Sequence, residues 1–157
     1  LNASNGENVY GVLLYGINSS GKSSLMKSIG LSVVLAQAGF FVPAVELRFG
    51  LYSKLFTRIV SKDNLYKGLS TFAIEMLELK NIFNRADERS LVLGDEISQG
   101  TETESALAIV SSAILKLISL RSTFIFATHL HPLGKIPQLQ TLQHLIFLHL
   151  GIKYDEH

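Results

Sequence analysis

Short apolar runs alternate with amphipathic stretches along this chain, and their spacing predicts strands and helices in turn. Val9–Tyr15 is an apolar, β-branched and aromatic run closed by Gly16, which reads as a buried strand. Past a glycine- and serine-rich loop, Leu25, Met26, Ile29 and Val33 sit at helical spacing, and Gly39 is placed to stop that helix. Lys54–Val60 predicts a second strand, and Ser61–Leu69, with Asp63, Asn64 and Gly68, a loop. Phe72, Met76, Leu79 and Phe83 make one face of an amphipathic helix. Ser90–Leu93 is a short buried strand. Thr101 and Glu104 fit a capping box for a helix carrying Leu107, Val110, Ile114 and Leu117. Thr123–Ala127 and Leu142–Leu150 are the last strands, and Pro132, Gly134 and Pro137 punctuate the segment between them. Strands that are apolar on both faces and alternate with helices predict an α/β fold, a mainly parallel sheet flanked by helices.

Composition narrows this picture. The 157 residues make about one domain, and 47 % hydrophobic content is ample for its core. No internal repeat, low-complexity tract or second domain is visible, so residues 1–157 read as one domain. The start at Leu1 without Met and the stop just after an apolar run suggest a fragment of a longer chain, with residues 1–8 as linker or cloning remnant. A net charge of +1 gives no field that would gather a polyanion over the whole surface. Lys22, Lys54, Arg58, Lys62 and Lys67 are scattered without interleaved aromatics, more like a solvated surface plus one loop lysine than a nucleic-acid grip. The absence of cysteine excludes a disulfide framework or thiolate metal site. No apolar stretch reaches the ~18 residues of a membrane span, and no signal-peptide pattern opens the chain.

Candidate chemistry begins at Gly16-Ile17-Asn18-Ser19-Ser20-Gly21-Lys22-Ser23, followed by Ser24, which fits the phosphate-loop pattern between a strand and a helix. Backbone N–H groups turned inward around an anion need glycine where the chain bends, and the helix N-terminus adds its dipole. Lys22 is expected to reach the β- and γ-phosphates of ATP, and the Ser23 hydroxyl to ligate Mg²⁺. Leu91-Val92-Leu93-Gly94-Asp95-Glu96 is an apolar strand ending in two acids. Alone it reads as a solvated strand end. Downstream of a phosphate loop, Asp95 is expected to hold a Mg²⁺ water and Glu96 to deprotonate the attacking water. His129, at another strand end, is placed to meet the γ-phosphate or that water. His129 and His131 lack an evident third ligand and are discounted as a metal pair.

Together these stretches resemble the ATPase domain of the MutS family of DNA mismatch-repair proteins. The phosphate loop with its Asn18, Phe41-Val42-Pro43-Ala44, Phe56-Thr57-Arg58, Ser70-Thr71-Phe72 with Glu75-Met76, Asp95-Glu96-Ile97, Gly100-Thr101 and Phe126-Ala127-Thr128-His129 occur in the family's order. The resemblance implies an ABC-type ATPase in which two domains sandwich each nucleotide, so that Ser70 contacts the γ-phosphate on the partner's loop. From the residues alone Ser70 is an ordinary helix N-cap. It also implies Glu96 as catalytic base, His129 as γ-phosphate sensor, a homodimer through the ATPase face, and mismatched or distorted DNA held by domains outside this chain. The expected location is cytoplasmic, or with DNA in a nucleoid or organelle, without membrane attachment or secretion. Ile17 stands where the family usually has Pro, Ser19-Ser20 where it has a larger apolar residue and Gly, Ser98-Gln99 where it has Gly-Arg, and Glu102 where it has a small residue, which suggests a divergent branch. An alternative is a nucleotide-dependent dimerisation module with little turnover, acting in recombination or another DNA process. Intact Lys22, Ser23, Asp95 and Glu96 favour the ATPase.

Overall fold

The computed structural model describes residues 8–17, 20–59, 71–98 and 101–151. Five strands, β1 (Gly11–Gly16), β2 (Lys54–Arg58), β3 (Ser90–Asp95), β4 (Thr123–Thr128) and β5 (Leu145–Leu150), form one sheet in the order β2-β3-β4-β1-β5. Every pairing is parallel. The helices are α1 (Lys22–Gln37), α2 (Thr71–Arg85), α3 (Thr103–Ser119) and the single turn α4 (Pro137–Gln140), preceded by a 3₁₀ turn at His131–Lys135. This is the α/β architecture expected from the alternation, a parallel sheet flanked by helices.

Strand alternation divides the core into two layers. Leu13, Val92, Phe124 and Phe126 face a layer built with Leu79 and Ile82 of α2 and Val110, Ile114 and Leu117 of α3. Val12, Leu91, Leu93, Ile125 and Ala127 face the other, with Met26 and Val33 of α1. The central strands are therefore buried on both faces, while β2 and β5, at the sheet's edges, are partly exposed. Gly39, at φ 79°, ends α1 as predicted: its N–H donates to Ala36 O and that of Phe40 to Leu35 O, the paired bonds of a Schellman stop. Beyond it, Phe40, Phe41, Val45 and Leu51 are exposed, and Leu31 and Val34 lie exposed on α1.

Several boundaries differ from expectation. The capping box at Thr101 and Glu104 does not form: α3 has Glu102 as N-cap with no side-chain cap, because the Thr101 N–H is drawn into a turn onto Ser98 O at 3.4 Å. The last strand starts at Leu145, three residues late, since the Leu142 N–H bonds back to Leu139 O and the Leu145 N–H to Leu142 O. The first starts at Gly11 and includes Gly16. The predicted face of α2 holds at Leu79, which is buried, and at Met76 and Phe83, which pack against the core; Glu75 and Ile82 are buried beside them, and Phe72 is exposed. Val60 and the Ser61–Leu69 loop lie outside the described residues. Lys54 and Arg58 are not free on the surface. Lys54 pairs with Asp87, and Arg58 Nε lies 2.8 Å from Glu78 Oε2, an ion pair whose angles fall short of a hydrogen bond.

Candidate functional site

Because β3, β4 and β1 are adjacent and parallel, the residues after them leave the sheet at one edge. Register places Asp95 level with Ala127, and Ala127 level with Leu14, two residues before Gly16. Asp95 is thus two strand spacings from β1, about 10 Å. Ligands of open parallel sheets bind outside such carboxyl ends.

After β1 the chain turns through Ile17, whose carbonyl accepts from the Ser20 N–H at 3.2 Å. Gly21, at φ 90°, is the N-cap of α1 in a left-handed conformation that suits glycine. The first turn of α1 carries neither a side-chain cap nor an acid, so its free N–H groups and dipole face outward, suited to an anion. Lys22 is buried, its Nζ donating to Gly16 O at 2.7 Å and Ile17 O at 2.9 Å. Ser23 is half-buried beside it. Asn18, Ser19 and Ser70 lie outside the described residues.

Asp95 is buried, and its Oδ1 has no hydrogen-bond partner among the described residues. An isolated buried carboxylate oxygen is costly, and a hydrated divalent cation would satisfy it. Glu96 adopts φ 47°, and its N–H donates to Ala127 O at 2.9 Å, so the turn is tied to β4. Its Oε1 lies 4.0 Å from His129 Nδ1, too far for a direct hydrogen bond and open to a bridging water. His129 is exposed, and the Oγ1 of Thr128 beside it accepts the Leu130 N–H at 3.0 Å. His131 does not join it: its ring stacks on Tyr15 at 5.8 Å between centroids.

The sequence profile of MutS domain V matches residues 12–157. The chain belongs to the MutS family. It is 44 % identical over 154 residues to a DNA mismatch repair protein mutS homolog of Acanthamoeba polyphaga mimivirus, covering 96 % of this chain and 14 % of that protein. It is 45 % identical over 121 residues to the mitochondrial DNA mismatch repair protein mutS homolog of Sarcophyton glaucum, covering 77 % and 12 %. It is 42 % identical over 142 residues to the DNA mismatch repair protein MutS of Syntrophomonas wolfei, covering 90 % and 16 %. The chain thus spans about one-seventh of the length of these MutS relatives.

Within this MutS domain the fold brings Lys22, Ser23, Asp95, Glu96 and His129 to one edge. Sequence reasoning missed one contact there. Glu75 of α2 is buried, and its Oε1 accepts the Ser98 N–H at 2.6 Å. The signal was in the pattern: Glu75 occupies the third position after Phe72, inside an otherwise apolar stripe, where a carboxylate calls for a partner. Ser98 is buried at φ 64°, in a conformation the family's usual glycine there would adopt freely.

Proposed function

We propose that this chain binds ATP with Mg²⁺ at the carboxyl edge of β3, β4 and β1 and hydrolyses it to ADP and phosphate, as the ATPase domain of a MutS-like mismatch-repair protein. The observation that carries the reading is the pairing of Glu96 and His129 across a 4.0 Å gap, beside a phosphate-loop sequence and a buried Asp95 oxygen with no partner among the described residues. Lys22 and the N–H groups opening α1 hold the phosphates. Ser23 and Asp95 would hold Mg²⁺, which would supply positive charge to the phosphate oxygens. Glu96 accepts the proton of the water that attacks the γ-phosphorus, while the bond to the β-phosphate oxygen breaks. His129 hydrogen-bonds the γ-phosphate or the water. Ser70 completes the site across a homodimer, and the nucleotide cycle controls clamping of mismatched or distorted DNA by domains outside this chain.

Two variants test the reading. Lys22→Ala is expected to abolish nucleotide binding, since it removes the side-chain charge aimed at the β- and γ-phosphates. Glu96→Ala is expected to bind ATP and lose turnover. Equilibrium ATP binding set against single-turnover hydrolysis reads both, and unchanged hydrolysis in the Glu96 variant dismisses that residue as the base. Native chains that bind ATP tightly and scarcely hydrolyse it would favour the dimerisation module instead.

A further inference from the structure

We infer that Glu75 is a positioning residue for Glu96, acting through the backbone of Ser98; the inference rests on the reading of Glu96 as the base. Three residues, Glu96, Ile97 and Ser98, carry the chain from the end of β3 back into the core. Two of them hold positive φ without being glycine, an arrangement that persists only where the surroundings fix it. Besides the long bond from the Thr101 N–H to Ser98 O at 3.4 Å, three contacts do so. The Glu96 N–H is held by Ala127 O, the Ile97 side chain is buried under the sheet, and the Ser98 N–H is held by Glu75 Oε1 at 2.6 Å. The first two anchor the near side of the turn. The third reaches it from α2.

The far anchor decides where the Glu96 carboxylate points. With Ser98 released, the turn is free to relax toward negative φ, and the side chain two residues earlier swings with it. Its separation from His129 is what the hydrolysis reading depends on. Nucleotide binding rests on Lys22 and the start of α1, which Glu75 does not touch in any described contact. Loss of Glu75 should therefore lower turnover and leave ATP affinity unchanged.

The chemistry of the bond gives a crossed test in the full chain. Glu75→Gln keeps an oxygen acceptor at the same reach and removes the charge. Glu75→Asp keeps the charge and withdraws the oxygen by one methylene. Single-turnover hydrolysis in Glu75→Asp should fall about a hundredfold, the scale of a misplacement near 1 Å. Glu75→Gln should retain most of the native rate, and both should bind a non-hydrolysable ATP analogue with Mg²⁺ as the native chain does. Amide hydrogen exchange at Ser98 should be slow in the native and Gln chains and fast in the Asp chain. A native rate in Glu75→Asp with Ser98 still protected overturns the inference, and so does a Gln variant as slow as the Asp one. Loss of ATP binding in either also overturns it, since that marks a merely structural residue. Should Glu75→Asp fail to fold, turnover in Glu75→Gln decides alone. A native chain without turnover overturns the hydrolysis reading and with it this role; the exchange pattern at Ser98 tells that failure from failure of the latch.

Discussion

Glu96 and Ser98 pay different penalties for the same left-handed backbone. A non-glycine residue there costs roughly 1–2 kcal/mol, and Ser98 adds a buried hydroxyl with no described partner. Glycine at 98 relieves both and loses about 0.5–1 kcal/mol through greater freedom of the unfolded chain. Ser98→Gly, which keeps the N–H that Glu75 holds, should therefore raise stability by about 1 kcal/mol in urea unfolding. Tyr15 offers a second test. Burial pushes its hydroxyl from 10.0 up to about 12, so the folded chain favours the neutral form. Stability from this preference is complete below pH 10.0 and is lost as pH rises from there to about 12, because the unfolded chain ionises first. The loss should reach about 2–3 kcal/mol. Tyr15→Phe should remove that part of the alkaline slope and be no less stable at neutral pH, since the buried hydroxyl has no described partner.

The turn joining α2 to β3 is held by Asp87. Its Oδ1 accepts from the Arg89 N–H and the Ser90 hydroxyl, its carbonyl accepts from Ser122, and Lys54 of the neighbouring strand binds Oδ2. The Lys54 and Ser90 hydrogen bonds hold its carboxyl below the usual carboxylate range. A depressed acid stabilises the fold above its ordinary pKa and loses that contribution as pH falls through the folded value. Asp87→Ala should thus lower the thermal midpoint at neutral pH, with the gap to the native chain closing in acid. Such turns were the least legible part of the sequence. The strands were visible because burial on both faces makes continuous apolar runs, as at Val12-Leu13 and Leu91-Val92, and the helices because burial of one face imposes a period of 3.6, as at Met26 and Val33. Asp95, Glu96 and the phosphate loop were visible because they follow such strands. The α3 cap and the start of β5 were not, because each is set by backbone bonds to residues in a neighbouring turn. Glu75 was half legible: a carboxylate inside an apolar stripe calls for a partner, but that partner is a main-chain N–H 23 residues away, which side-chain pattern cannot name.

At the scale of the whole molecule, the parallel sheet makes one edge serve every candidate catalytic group, and a second copy would complete it through Ser70. Lost charge-stabilising donors cost roughly a hundred- to thousand-fold in rate, so a lone domain should be a poor ATPase whose specific activity rises with concentration. Mixing Lys22→Ala chains with Ser70→Ala chains should restore activity, since one composite site in the mixed dimer is intact. Concentration-independent activity with no rescue on mixing would sink the shared-site arrangement. Chelation should abolish turnover and Mg²⁺ restore it. Purified protein holding stoichiometric zinc through His129 and His131 would contradict the assignment of those histidines. The exposed Phe40, Phe41, Val45 and Leu51, together with Leu31 and Val34 on α1, bear on how such assays behave. Apolar side chains presented to water in this number make a solution of the domain colloidally fragile: strongly salting-out anions will drive self-association, and a hydrophobic dye will light up on the folded chain. Clustering of that kind is indifferent to which nucleotide is present. Scattering that grows equally with ATP and ADP therefore reports the greasy surface, and only an ATP-selective rise in mass reports the catalytic pair.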